Sequence, residues 1–264
     1  MINRFVTGIA LALFSLPLTA CGGGGDDDSA STQTSPYSGH TYLLSLAKTD
    51  WSSPHGVGTD LFGVAPAFLF KVNGNTATLA TGQGYYLTDP TDIDTKQAVT
   101  PAQATQDPCG ITSELSLTGA SAAPQASPIS MFVKNNGPMP ALQVTAPVYN
   151  LKFTNILPNG NTPSTTGTLE AEMDFRQLYL LFASLGPTRT PDSVCTSLAS
   201  HYTPMGCMDA SCMVGCTACP DGQPYCLSVK AEDVGAVLAD SVAVSDVSAQ
   251  SRSATSCADS PKPM

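Results

Sequence analysis

The stretch FLFKVNGNTATLA, residues 68–80, decides the fold class. Phe68, Leu69, Phe70 and Val72 precede Asn73-Gly74, and Thr76, Thr78 and Leu79 follow it. Aromatic and β-branched side chains suit a pleated, half-buried surface, and an Asn-Gly pair tolerates the positive φ that a tight connection demands. The stretch therefore predicts a β-hairpin. Working outward, TYLLSLA at 41–47 is another apolar strand candidate, separated from the hairpin by a loop holding Trp51, Pro54, Gly56 and Gly58. ITSELSLT at 111–118 alternates, with Ile111, Leu115 and Leu117 apolar against Glu114 and Ser116, which predicts a strand with one wet face. Residues 129–133, 142–146 and 148–156 continue the pattern. Asn135-Asn136-Gly137-Pro138, Asn159-Gly160-Asn161 and Pro147 punctuate them, so Pro147 is expected to divide two strands.

The segment 168–175, TLEAEMDF, alternates again, with Leu169, Ala171, Met173 and Phe175 on one face. Glu170, Glu172 and Asp174 fall on the other, which is expected to face water. Then the period changes. Phe175, Leu178, Phe182 and Leu185 recur at helical spacing, Asp174 precedes Gln177 by a capping-box interval, and Gly186-Pro187 ends the run. A second short helix is expected from Thr190-Pro191 toward His201, since proline suits the first helical position. LSVKAEDV and AVLADSVAV after Cys226 offer two final strands. The reading is α+β: a β-rich antiparallel sheet with one or two short helices and a disulfide-rich C-terminal lobe, in preference to a closed all-β barrel or sandwich. Residues 39–194 form the core, and 195–264 form a cysteine-rich part of the same domain.

Of the nine cysteines, Cys21 stands apart near the amino end. The other eight, Cys109, Cys195, Cys207, Cys212, Cys216, Cys219, Cys226 and Cys257, are an even set, as expected of disulfides in an oxidising compartment. Cys109 lies far from the rest, so its bridge must join the two halves of the chain. CMDASCMVGCTACPDGQPYC, residues 207–226, has neither strand nor helix periodicity, so crosslinks must shape it. Cys216-Thr217-Ala218-Cys219 has a metal- or redox-type spacing. No histidine follows for haem attachment, the Cys212–Cys216 interval does not fit a ferredoxin run, and no low-pKa thiol setting is evident. Structural bridges are the expectation, with no metal and no cofactor.

The chain carries a formal charge of −10, which repels nucleic acid. It has three histidines, and no HExxH, GxSxG or P-loop pattern occurs. Ser53 and His55, with Asp50 and Asp60 nearby, share one Gly/Pro-rich loop, where polar residues serve turns more often than a triad. His40 adjoins a polar linker, and His201 falls near a helix end. Asp89, Asp92 and Asp94 are oxygen donors without a calcium-loop spacing. The expectation is a protein without catalytic activity. Phe68, Phe70, Leu115, Leu117, Phe132, Val144, Leu151 and Phe153 could either fill a core or enclose a lipid-sized cavity.

The first twenty residues have the order of a signal peptide: Arg4, an apolar run over 5–18, then small residues. That run is shorter than the roughly 20 residues a membrane-spanning helix needs. Leu18-Thr19-Ala20-Cys21 resembles the lipobox of bacterial lipoproteins, which implies cleavage before Cys21 and lipid on its thiol. Residues 21–38, the lipidated cysteine followed by GGGGDDDSASTQTSPYS, are expected to form a flexible tether with a span of roughly 20–25 Å. Asp26, Asp27 and Asp28 read as a solvated spacer. Gly22 directly after the cysteine, where an aspartate often marks inner-membrane retention, favours an outer-membrane anchor facing either the periplasm or the cell surface. The expected partners are the membrane, through that lipid, and an envelope protein. The runner-up is a carrier of lipid or another hydrophobic ligand.

Overall fold

The computed structural model describes residues 34–47, 49, 51–53, 67–83, 85–88, 96–134, 143–183, 190–202, 215–248 and 257. The chain divides into two units, 1–33 and 34–264, and the described residues all belong to the second. Thirteen strands and two helices are described: β1 (Thr41–Ser45), β2 (Trp51–Ser53), β3 (Ala67–Asn73), β4 (Thr76–Gly82), β5 (Tyr85–Leu87), β6 (Lys96–Ala98), β7 (Ser113–Thr118), β8 (Ser121–Pro124), β9 (Ile129–Lys134), β10 (Gln143–Thr154), β11 (Gly167–Asp174), α1 (Phe175–Ala183), α2 (Pro191–Tyr202), β12 (Cys226–Val234) and β13 (Val237–Leu238). Eleven strands form one sheet, ordered β13-β1-β3-β4-β7-β8-β10-β11-β12-β2 with β9 also beside β10, and β5 and β6 make a separate ribbon. Every pairing is antiparallel. The α+β class read from the sequence is the class observed.

The main sheet cannot be flat. β1 and β2 lie near opposite ends of the strand order, eight inter-strand steps apart, which would be roughly 38 Å in a plane. Ser45 and Trp51 are six residues apart in the chain, so their Cα atoms are at most ~20 Å apart. The sheet therefore curls until its ends approach each other, with the β1-to-β2 segment passing from one edge to the other. Strand spacing in the sequence did not reveal this closure, because the three-residue β2 carries no periodicity of its own.

The predicted hairpin is β3–β4, in register from Ala67↔Gly82 to Asn73↔Thr76. Its central pair is Gly74-Asn75 rather than Asn73-Gly74. Only Gly74 has positive φ, at 61°, the pattern of a type II′ turn. Both faces of β1 and of the first four residues of β3, 67–70, are buried. Tyr42, Leu44, Phe68, Phe70 and Val72 point into the main core. Leu43, Ala67 and Leu69 point outward into a second cluster with Ala80, Val99, Ala104, Ala239, Val242 and Val244. The outer layer consists of residues 99–112 and the C-terminal segment 239–247, joined by bonds such as Thr112 N–H to Val247 O at 3.0 Å. The contiguous apolar run in TYLLS follows from this two-sided burial.

β10 is one strand of 12 residues, not two divided at Pro147. Pro147 pairs with Ser130 of β9, while pairing with β11 begins only at Val148, so the missing N–H interrupts no ladder on that flank. The break comes later. Between Tyr149 and Lys152 the register slips by one residue, with Asn150 at φ 52°, a bulge that turns the strand. At the strand–helix junction, Asp174 accepts the Arg176 N–H at 2.9 Å and caps α1. Thr190 and Ser193 cap α2 reciprocally: Ser193 N–H donates to Thr190 Oγ1 at 3.3 Å and Thr190 N–H donates to Ser193 Oγ at 2.8 Å. The second of the two final strands is shorter than expected, only Val237–Leu238, because the chain turns at Ala239–Val242 to cover the outer cluster.

Candidate functional site

Strand directions give the fold two unlike ends. At one, the connections are tight: Gly74-Asn75, Gly119-Ala120 and Gly235-Ala236, each two residues, together with residues 155–166. Backbones approach so closely there that a Cβ on Gly235 would lie 2.0 Å from Ser164 O, and one on Gly167 would lie 2.0 Å from Val234 O. The chain also enters the fold at this turn end. Ser35 N–H donates to Asn75 Oδ1 at 3.1 Å, Gly74 N–H to Ser38 Oγ at 2.8 Å and Gly39 N–H to Val72 O at 2.9 Å. Residues 34–38, expected to belong to the tether, are thus part of the fold, because the β3–β4 turn offers partners for their polar groups.

The other end is elaborate. It carries α1, α2 and residues 215–225, which lie between β11 and β12, and residues 106–112, beside the end of β4. All three described disulfides gather there: Cys109–Cys257, Cys195–Cys216 and Cys219–Cys226, closing separations of 148, 21 and 7 residues. Cys109–Cys257 joins the two halves of the chain as expected and packs on Phe132, which therefore lies in a satellite cluster rather than in the main core. Cys207 and Cys212 lie outside the described residues. Cys226 opens β12, paired with Asp174, so the cysteine-rich part shares the sheet of the core.

One polar node organises this loop end. Asp174 is 2% exposed, so it is not part of a wet face with Glu170 and Glu172. Its carboxylate holds the Arg176 guanidinium through Nε at 3.0 and 3.1 Å and through Nη2. Nη1 of the same arginine reaches Asp221 at 2.6 Å. Hydrogen bonds to Asp174 first, then Asp221, raise the Arg176 pKa, so this group stays charged. Asp221 is held below the usual carboxylate range, chiefly by the Gln223 N–H and then by Arg176. The Asp192 carboxylate of α2 faces Tyr225 and raises its phenol pKa. Residues 219–226, CPDGQPYC, are thereby a preorganised loop. Cys219–Cys226 closes it, Asp221 ties it to α1, Tyr225 ties it to α2, and Gly222 at φ 81° makes its turn. Pro220, Asp221, Gly222, Gln223 and Pro224 are exposed.

The other candidates divide into those outside the described residues and those the structure places. His55, Asp50, Asp60, Asp89, Asp92, Asp94 and Cys21 lie outside the described residues. Ser52 donates to Lys230 O at 3.3 Å. Glu170 and Glu172 sit on the outer sheet face, 3.9 Å from Lys230 Nζ and bonded to Asn150 Nδ2 at 3.0 Å respectively. His201 lies in α2. His40 Nδ1 is 2.8 Å from Asp240 Oδ2, and the Thr41 N–H donates to Asp240 Oδ1 at 2.9 Å. That N–H first, then His40, lowers the Asp240 pKa. Of the apolar side chains that could fill a core or enclose a cavity, Phe68, Phe70, Leu115, Val144, Leu151 and Phe153 belong to the main cluster and Phe132 to the satellite one. Phe153 meets Phe68 and Phe70 edge-on at 5.5 and 5.0 Å between ring centres. Among the described residues no helix is long and apolar enough to cross a membrane, and no group of three or more His, Cys, Asp or Glu side chains could hold a metal ion.

Sequence reasoning missed Arg176, Asp192, Asp221, Tyr225 and Asp240. The turn signature Pro220-Asp221-Gly222 inside a cysteine bracket was the one available signal for the loop. No protein-family model, curated protein or solved structure matches the chain.

Proposed function

We propose that this chain is a cell-envelope lipoprotein, lipidated on Cys21, that acts without catalysis as an interaction module and presents its loop end to a partner in the envelope. The observation that carries the reading is the opposition of the two ends. The chain enters at the turn end, through Ser35 and Gly39, while the disulfides and the 219–226 loop lie at the other. A rigid sheet with loops at one end is the usual platform for recognition, and a loop closed by a bridge and two side-chain ties loses little entropy on binding. The bridges suit an oxidising compartment. An outer-membrane anchor facing the periplasm or the surface follows from Gly22 after the cysteine.

The carrier reading gains nothing from the aromatic packing around Phe153, which occupies the centre of the main core. Site-specific photocrosslinking in intact cells tests the proposal. A crosslinker at Gln223 is expected to give a discrete protein adduct, and one at Thr162, on the turn end, none. Adducts from Thr162 alone, or from neither site, count against the proposal. Native mass spectra of the purified protein address the carrier: extra mass that vanishes on denaturation would favour it.

A further inference from the structure

We infer that the turn end is a lipid-facing surface, and that Leu238 is its apolar contact. The inference rests on the anchored reading above and adds which face meets the bilayer. Three independent observations converge on it. The first is connectivity: Ser35 is bonded to the β3–β4 turn, and only residues 22–34 separate it from Cys21. A linker of this length gives an effective concentration of order millimolar for the face at its root, so even a weak contact is populated.

The second is charge. The turn end is built from 34–40, 73–76, 118–121, 154–168 and 234–241. In a chain of 21 acidic and 11 basic side chains, these segments contain one charged residue, Asp240, paired with His40, and the carboxylates next to them are Glu232, paired with Lys230, and Asp233, both level with Thr168 across the β11–β12 ladder. Their surface is Ser, Thr, Asn, Gly and Pro: Asn159, Gly160, Asn161, Thr162, Pro163, Thr165 and Thr166 are all exposed. An acidic protein is repelled by anionic headgroups wherever its carboxylates approach within a Debye length of about 8 Å, and of the carboxylates at or beside this end, Asp240 and Glu232 are paired with His40 and Lys230. The loop end, with Asp107, Asp192 and Asp221, is the one that is pushed away.

The third is apolar exposure. Leu238, 42% exposed, is one of two large hydrophobic side chains exposed among the described residues, and it belongs to this end. It lies on β13 opposite Tyr42, whose ring meets Tyr37 and His40 edge-on at 6.0 and 6.3 Å. An exposed leucine on the short rim strand beside Ser, Thr, Asn and Gly suits the boundary between headgroups and acyl chains.

The test uses the chain from Cys21 onward, with its other cysteines in disulfides, coupled through the Cys21 thiol to maleimide-lipid in phosphatidylethanolamine/phosphatidylglycerol vesicles. Chemical coupling supplies the anchor whether or not cells lipidate Cys21, so failure here is separate from failure of the lipoprotein reading. Amide hydrogen exchange is compared with the same protein capped by a soluble maleimide. A face docked three-quarters of the time exchanges about fourfold slower. That slowing is expected in 73–76, 155–166 and 235–241 and not in 219–226. Leu238→Asp, at an already exposed edge position, is expected to abolish it while the circular dichroism is unchanged. Equal exchange in both samples, or slowing confined to 219–226, overturns the inference. So does the same slowing in a concentrated vesicle-free sample, which would assign the face to a second copy of the chain.

Discussion

Truncating Phe153 to alanine probes whether the centre of the barrel-like sheet is filled. Phe153 is fully buried on β10, paired with Leu169 of β11 and Ala122 of β8, with two rings edge-on against it. Removing a phenylalanine from a packed core costs about 3–5 kcal/mol, through lost transfer energy and the cavity left behind. Lost edge-to-face contacts push the value toward the upper part of that range. Taking ~4 kcal/mol and a urea slope of about 2–3 kcal/mol/M for a domain of this size, the midpoint should fall by roughly 1.5–2 M. Phe153→Leu, which retains most of the volume, should lose about 1–1.5 kcal/mol. Equilibrium urea unfolding of the disulfide-intact protein, followed by far-UV circular dichroism, measures both. A Phe153→Ala cost under about 1 kcal/mol would refute the packing, because a ring lining an open cavity forfeits few contacts. It would restore the carrier reading.

Asp174→Ala should cost about 2–3 kcal/mol, combining a lost helix cap with a broken, largely buried pair, whereas Asp174→Asn keeps the cap and should cost about half as much; urea midpoints separate them. Thr81 Oγ1 is buried without a hydrogen-bond partner, so Thr81→Val should be neutral or stabilising by up to about 1 kcal/mol, and a loss above that would reveal a bond to the hydroxyl. Asp221 has a depressed folded-state pKa, so its contribution is present above its unfolded pKa and is lost as pH falls through the folded one. Between about pH 5 and 3, Asp221→Asn should therefore flatten the decline of the urea midpoint. Cys109, Cys257, Cys219 and Cys226 are buried while Cys195 and Cys216 are partly exposed, so mild dithiothreitol followed by mass mapping should open Cys195–Cys216 before the other two described bridges.

The strands were legible where one face is wet and the other dry. ITSELSLT and TLEAEMDF gave β7 and β11 directly, and the cap and period change at Asp174–Phe175 gave α1. TYLLS and AFLF were legible as strands, but their two-sided burial was not, because it depends on residues 239–247 folding back over them. Pro147 misled, since a proline ends a strand only where its N–H is needed by a neighbour. Glu170, Glu172 and Asp174 look alike in the sequence, yet the third is buried by an arginine two residues on and a loop carrying Asp221 nearly fifty residues on. Such a node is set by tertiary contacts, and only its local half, Asp174 with Arg176, is visible in sequence. The grouping of tight turns at one end and bridges at the other follows from strand order, which spacing alone leaves open.

The most direct test of the lipoprotein reading is the mass of the mature protein extracted from the membrane fraction of cells expressing the full chain, beside Cys21→Ser. The expected product is a polypeptide beginning at Cys21 and heavier than its sequence by the acyl-glyceryl groups on that cysteine, with the variant losing both the lipid and the membrane association. A soluble, unlipidated chain, or one cut at another residue, would contradict it.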